Sequence, residues 1–220
     1  MRRERRKVVA AEPVGPYTLL RVERGGLAAG RPGQFFMLEA PGRVLPRPMS
    51  VCLADDRELV FLIDPIGPGT RALCELNHRD ELHMLGPLGN GFDLALERPL
   101  LVGGGIGIAP LPYLAQCLGG APAILGFRSE RHAEAAVLLP GAEVCIEPTY
   151  VTALLPDEHH DVLACGPEPM LAALRTLVPD AQLAWEAPMA CGYGACYGCA
   201  VELDGELKRL CVEGPVLRAA

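Results

Sequence analysis

The chain has 220 residues, half of them hydrophobic and 21% charged, which excludes an intrinsically disordered protein. The net charge is −7, and Arg2, Arg3, Arg5, Arg6 and Lys7 hold a quarter of the 20 cations, so the rest of the chain is strongly acidic and argues against a nucleic-acid surface. No apolar run approaches the roughly 18 residues of a membrane helix, and Val8-Val9-Ala10-Ala11 is too short for a signal-peptide core, so a cytoplasmic protein is expected.

Residues 1–96 read as short strands at 6–12, 17–23, 34–40, 48–54, 58–64 and 81–85. Turn signals separate them, among them Val14-Gly15-Pro16, Gly25-Gly26 and Gly86-Pro87. Strands at this spacing predict a six-stranded antiparallel barrel. The spacing predicts one helix, about Thr70 to Leu76, opened by Gly67-Pro68-Gly69-Thr70. The basic start reads as a frayed terminus.

From 97 to 180 the rhythm changes. An apolar strand, Leu100-Leu101-Val102, runs into Gly103-Gly104-Gly105-Ile106-Gly107 and a helix near 109–118. A strand at 122–127, a helix near 130–136, strands at 142–147 and 161–165, and a helix at 167–177 follow. This alternation predicts a parallel α/β domain. Residues 181–220 form a tail too small for a core of its own.

Nine cysteines, an odd number, argue against a disulfide framework, and four of them cluster in the tail. Cys191, Cys196 and Cys199 follow the x4, x2 spacing of plant-type [2Fe–2S] proteins. Gly192, Gly194 and Gly198 between them suit a chain wrapped closely over sulfur. Asp204-Gly205 reads as a hairpin turn. Pairing outward from it sets Leu203 opposite Glu206 and Cys199 opposite Leu210, which returns Cys211 as the fourth ligand. A structural zinc site is the competing reading, although zinc ribbons carry two Cys-x2-Cys knuckles.

Two further signals bear on ligands. Gly103 to Gly107 follows a strand and opens a helix, as a phosphate-binding turn requires, but such a turn also serves packing alone. Cys165-Gly166-Pro167 ends the next strand on the same sheet edge, where parallel sheets bind ligands. Arg47-Pro48-Met49-Ser50 offers a guanidinium and a hydroxyl that suit a phosphate and a flavin edge, or else an ordinary surface arginine. Gly69 and Thr70 at the helix start offer a second anion site.

Together these motifs resemble the ferredoxin-reductase superfamily, and within it the electron-transfer subunits of the NAD-dependent, class 1B dihydroorotate dehydrogenases. Gly86-Pro87-Leu88-Gly89-Asn90-Gly91-Phe92 resembles the barrel-exit signature, Cys165 to Met170 a nucleotide-domain turn, and Met189 to Cys199 with Cys211 to Val216 the cluster segment. The resemblance implies a FAD-binding barrel at 1–96, an NAD-binding domain at 97–180 and a [2Fe–2S] domain at 181–220. It assigns FAD to Arg47, Pro48, Met49, Ser50, Leu62, Ile63, Asp64, Gly69 and Thr70. It assigns NAD to Gly103, Gly104, Gly105, Gly107, Cys165 and Gly166, with Cys165 near the flavin ring. The implied partner is an FMN-containing catalytic subunit that oxidises dihydroorotate to orotate, in a heterotetramer of two plus two, with no nucleic acid and no membrane. Electrons would run from FMN through the cluster and FAD to NAD+ in pyrimidine biosynthesis, and no acid–base pair is needed. A reductase subunit serving another oxidoreductase, and a non-enzymatic iron–sulfur sensor, are the alternatives.

The chain departs from the pattern at Glu147-Pro148-Thr149-Tyr150, where the family carries a longer acidic, glycine-rich loop over the nicotinamide nucleotide. Ala187-Pro188 is also untypical. Cys52, Cys74, Cys117 and Cys145 read as buried small hydrophobes, Trp185 as packing, and His159-His160 as a solvated loop. His78, His83 and His132 show no ligand spacing.

Overall fold

A computed structural model describes residues 2–158, 160–203 and 205–219. The first six strands are β1 (Arg2–Val14), β2 (Tyr17–Glu23), β3 (Phe35–Leu38), β4 (Arg47–Ala54), β5 (Glu58–Ile63) and β6 (Glu81–Leu88). They close into an antiparallel barrel in the order β1-β2-β5-β4-β3-β6. Alternate side chains face inward, among them Leu20, Val22, Leu59, Phe61 and Ile63, all essentially without exposure. Each buried side chain of this size contributes about 1.5–3 kcal/mol. Phe36 and Phe61 meet edge to face with centroids 5.9 Å apart.

The start of the chain corrects the frayed reading. Arg2 to Lys7 pair with β6 in register from Gly86 to Glu81 and close the barrel. Arg3, Arg5 and Lys7 face solvent while Glu4 and Arg6 are half-buried. The outward cations have partners that sequence alone hid: Arg3 with Glu39 and Arg5 with Glu81. Helix α1 (Pro68–Cys74) begins two residues before the expected Thr70, because Pro68 and Gly69 are taken into its first turn.

The second half contains β7 (Pro99–Gly104), a 3-10 turn (Gly105–Ile108), α2 (Leu111–Leu118), β8 (Ala123–Phe127) and α3 (Glu130–Ala133). A 3-10 turn (Glu134–Leu138), β9 (Glu143–Ile146), a 3-10 turn (Val151–Leu154), β10 (Asp161–Cys165), α4 (Glu168–Leu177) and β11 (Gln182–Ala184) follow. The helix expected over 130–136 is therefore split. The sheet order is β14-β11-β10-β7-β8-β9, where β14 is Val216–Arg218. All neighbours are parallel except β14, which runs antiparallel to β11. The sheet thus extends past residue 180 and takes in both ends of the cysteine tail. β14 has only three residues and pairs only after the chain has returned from the cysteines, so it leaves no periodic signal.

The barrel and sheet share one core, in which Tyr17, Cys52, Leu62 and Phe92 pack with Leu101, Leu111 and Leu125. Tyr113 Oη donates to Gly30 O at 2.9 Å and Gln116 Nε2 to Ala54 O at 3.1 Å, fixing α2 against the barrel.

The last hairpin, β12 (Ala200–Leu203) and β13 (Glu206–Arg209), pairs Leu203 with Glu206 as expected. Asp204 of its expected turn, like His159, lies outside the described residues. Cys199, Leu210 and Cys211 form a small core with Phe35, Met37 and Leu88 of the barrel. Gly192 has φ +79, and a Cβ there would come within 2.5 Å of Met37, so the cysteine loop seats directly on β3. The barrel exit holds the other end: Asn90 Nδ2 donates to Val212 O and Glu213 O at 3.1 and 3.0 Å. Among the described residues no helix is long and apolar enough to cross a membrane.

Candidate redox site

The four tail cysteines come together as two pairs. Cys199 and Cys211 lie with their sulfurs 3.2 Å apart. They are adjacent because Leu210 N donates to Cys199 O at 3.2 Å, which continues the β12–β13 ladder by one residue. Cys191 and Cys196 form the other pair, hydrogen-bonded through their side chains. Backbone N–H groups aim at the sulfurs: Gly194 N donates to Cys211 Sγ at 3.1 Å and Gly198 N to Cys196 Sγ at 3.4 Å.

The electrostatics follow the same division. Burial alone would raise the Cys191 thiol, but the N–H groups of Tyr193, Cys196 and Ala195 and the Cys196 side chain outweigh it and bring the pKa down to about 6. Burial and the neighbouring Cys199 push Cys211 up to about 12. Backbone donors reach three of the four sulfurs, those of Cys191, Cys196 and Cys211. Four thiols suit a soft metal centre that replaces their protons, although among the described residues no three of them converge as they stand on one metal position.

Next to the cysteines lies a cleft of about 210 Å³. Pro48, Met49, Ser50, Leu62, Asp64 and Thr70 line it, so most of the expected flavin residues gather in one place. Arg47 and Gly69 meet at its border: a Cβ on Gly69 would fall 2.4 Å from the Arg47 guanidinium. Arg47 Nη1 donates to Leu45 O at 2.9 Å, which turns the side chain toward α1. The Thr70 hydroxyl also closes its own helix, accepting from Gly67 N at 3.0 Å and donating to Gly67 O at 3.1 Å. Ile63 differs from the other expected residues, for its side chain belongs to the barrel core.

The opposite wall of this cleft comes from the tail: Trp185, Glu186, Ala187 and Met189. Trp185 therefore does more than pack. Glu186 is exposed at the edge of this cleft, yet the protein packed around its carboxyl raises its pKa. No spacing in the sequence singled out Glu186. The one available signal was its place at the end of β11, a strand end on the same sheet edge.

A larger cavity of about 630 Å³ adjoins at the carboxyl ends of the parallel strands. Asp64 and Ile106 line both spaces. Gly104 and Gly105 line the cavity, whereas Gly103 and Gly107 lie beneath it as packing glycines. A Cβ on Gly107 would come 2.2 Å from Cys165 O, and one on Gly166 3.1 Å from Gly104 N. The two strand-to-helix turns thus touch, as their register in β7 and β10 requires. Cys165 itself is buried behind Gly107 and lines neither space; burial, with a smaller contribution from Glu186, raises its thiol pKa.

Sequence reasoning missed Tyr17, Arg128 and His132, which also line the cavity. Arg128 Nε donates to His132 Nε2 at 2.8 Å, Ser129 Oγ lies 2.7 Å from His132 Nδ1, and Tyr17 meets the imidazole edge to face. Glu147, Thr149 and Tyr150 of the short segment line the same cavity. Of the cysteines read as buried, Cys52 and Cys145 are, Cys74 is half-buried, and Cys117 is exposed.

A closed barrel joined to a parallel sheet, with clefts at the junction and a cysteine segment against one of them, defines a ferredoxin-reductase-like flavoprotein fold. In a solved NADH-dependent reduced ferredoxin–NADP oxidoreductase the likeness has a TM-score of 0.83, with 22% identity over 97% of this chain and 88% of that one. Phthalate dioxygenase reductase follows at a TM-score of 0.67, 14% identity, and 80% and 64% coverage. Residues 186–220 match the iron–sulfur cluster binding domain of dihydroorotate dehydrogenase B. The dihydroorotate dehydrogenase B (NAD(+)) electron transfer subunit of Geobacillus thermodenitrificans is 35% identical over 99% of this chain and 97% of its own length. That of Clostridium perfringens is 35% identical over 84% and 83%. The chain belongs to the family of electron transfer subunits of dihydroorotate dehydrogenase B. The Geobacillus alignment runs over 253 positions against 220 residues here, so that relative carries segments this chain lacks.

Proposed function

We propose that this chain carries out its family's electron transfer with three adjoining sites: the thiols of Cys191, Cys196, Cys199 and Cys211 for a [2Fe–2S] cluster, the smaller cleft for the flavin end of FAD, and the larger cavity for the nicotinamide nucleotide. One observation carries the reading. The residues immediately before Cys191 form a wall of the flavin cleft, and Asp64 and Ile106 join that cleft to the larger cavity. Cysteines, cleft and cavity therefore lie in the order that electrons bound for NAD+ require. The cofactors supply one-electron and hydride chemistry, while the protein supplies position and electrostatics.

Arg47 holds a phosphate of FAD beside Gly69, where the missing Cβ leaves room for the guanidinium. Met49 and Ser50 face the isoalloxazine from the barrel side, with Trp185, Glu186 and Met189 across from them. Gly104 and Gly105 let a dinucleotide approach the backbone at the end of β7. Arg128, just past the end of β8, offers guanidinium donors to its polar groups, and its Nε–H is held by His132. The barrel at 1–96, the nucleotide domain from 97 and the cysteine segment are thus three working parts, the last tied to the sheet through β11 and β14.

The partner is an FMN-containing catalytic subunit, and the complex is a heterotetramer of two chains of each kind. A set of cysteines kept as thiols belongs to the reducing cytoplasm. The test is reconstitution. The isolated chain should oxidise NADH with artificial acceptors but not dihydroorotate, and adding the FMN subunit should give dihydroorotate-dependent reduction of NAD+. Dihydroorotate oxidation by the chain alone would contradict this division of labour. Failure to couple with that subunit, at full NADH oxidation, would point to another oxidoreductase partner.

A further inference from the structure

One side chain outside the four cysteines touches every span that carries them. Arg209, the last residue of β13, donates from Nη1 to Gly194 O at 3.4 Å, in the span between Cys191 and Cys196. Its guanidinium lies 5.1 Å from the ring centroid of Tyr197, in the span between Cys196 and Cys199. It grips Glu213, just beyond Cys211, from Nη2 at 2.6 Å and Nε at 3.2 Å, while its own backbone N–H donates to Glu213 at 2.7 Å. Tyr197 sits at φ +58, an uncommon conformation for a residue with a side chain, so its loop needs an external hold.

We propose that Arg209 is the positioning residue of the cysteine segment: it ties the three thiol-bearing spans into one cage, and its ion pair with Glu213 sets the charge felt at that cage. The proposal rests on the iron–sulfur reading above.

An isolated ion pair at this exposure contributes little to stability. What distinguishes Arg209 is that the same guanidinium spans three loops, a planar multidentate role that Lys cannot reproduce. The charge consequence is separate. Adding an electron to a cluster is easier beside a cation and harder beside an anion, and cluster potentials respond to such charges. With the pair intact, the two charges largely cancel. Removing one partner exposes the other.

The test measures iron and sulfide content and the midpoint potential of the complete protein, by redox titration followed with electron paramagnetic resonance. Arg209→Gln leaves Glu213 unpaired and should lower the potential. Glu213→Gln leaves Arg209 unpaired and should raise it. Each shift should approach about tenfold in the reduced-to-oxidised ratio at fixed poise, about 59 mV for a one-electron couple, and should shrink at high salt. The double variant should return toward wild type. Arg209→Lys should keep the wild-type potential but retain less iron, because the charge survives and the clasp does not. If Arg209→Gln loses its cluster altogether, Glu213→Gln and Arg209→Lys still decide. Unchanged potential in Glu213→Gln together with unchanged iron in Arg209→Lys would overturn the proposal. Wild-type protein that takes up no iron would overturn the cluster reading itself, and this proposal with it.

Discussion

The sulfurs of Cys199 and Cys211 meet at 3.2 Å although eleven residues separate them. The β12–β13 register does this, since Leu203 pairs with Glu206 and Leu210 N then reaches Cys199 O. The proposed fourth ligand thus depends on a hairpin that contributes no proposed ligand of its own.

That dependence can be tested without touching a cysteine. Gly205 has φ +74 and open space around its Cα, so Gly205→Ala introduces backbone strain and no clash. The strain costs about 1–2 kcal/mol. The expected result is reduced iron retention with normal flavin content. Cys196→Ser should abolish the cluster absorption outright. Full iron content in Gly205→Ala would show that the segment holds its shape without the hairpin.

The border of the flavin cleft makes a second prediction. Arg47→Ala removes a charge-assisted contact of about 1.5–3 kcal/mol, roughly ten- to hundredfold in affinity, so FAD should be lost during purification. Gly69→Ala should do the same by a different cause, because its Cβ would occupy the place of the guanidinium. Flavin content per chain after gel filtration is the measurement. Unchanged occupancy in both variants would place the phosphate site elsewhere.

The local signals explain what was legible in the sequence. The six barrel strands are short apolar runs between glycine and proline turns, with alternating burial clearest in β6, and the cysteines show diagnostic spacing, so both could be read from neighbours in the chain. What escaped reading was made by distant partners. β1 extends to Arg2 because its main chain pairs with Glu81–Gly86 of β6 and closes the barrel. β14 is too short, and pairs too late in the chain, to announce itself. Glu186, Arg128 and His132 enter the clefts only through the way the sheet edge and barrel converge. Gly103 and Gly107 stood in the right motif, yet their immediate task is close packing against Leu111, Leu125 and Cys165.

Glu186 gives a pH prediction. Although the side chain is exposed, desolvation by the surrounding protein raises its folded pKa above the unfolded value, so the effect on stability is small. The folded state therefore prefers the neutral acid, and the carboxylate is a cost that is absent below the unfolded pKa and grows as pH rises through the folded one. Glu186→Gln, neutral and of the same shape, should raise the melting temperature of the flavin-free protein at pH 8 and leave it nearly unchanged at pH 4. Equal effects at the two pH values would mean that Glu186 is fully hydrated.

Glu147, Thr149 and Tyr150 of the short segment line the larger cavity, but the Glu147 and Thr149 N–H groups already donate to Phe127 O and Ile146 O and Pro148 has none. Losing about two hydrogen bonds relative to long-loop relatives, at about 1 kcal/mol each, corresponds to roughly thirtyfold weaker nucleotide binding. A high KM for NADH with unchanged flavin affinity is expected when this protein and a long-loop relative are titrated at the same salt and pH. Equal or tighter binding here would mean that another surface, with Arg128 and His132 the nearest candidates, has taken over those contacts.

The central claim is that one chain holds both a flavin and an iron–sulfur cluster side by side. The direct measurement is the visible spectrum of anaerobically purified protein, with FAD, iron, labile sulfide and zinc quantified on the same sample. The account predicts flavin absorption overlaid on cluster absorption, with about one FAD, two irons and two sulfides per chain. Stoichiometric zinc without iron, or a cluster with no flavin, would contradict it.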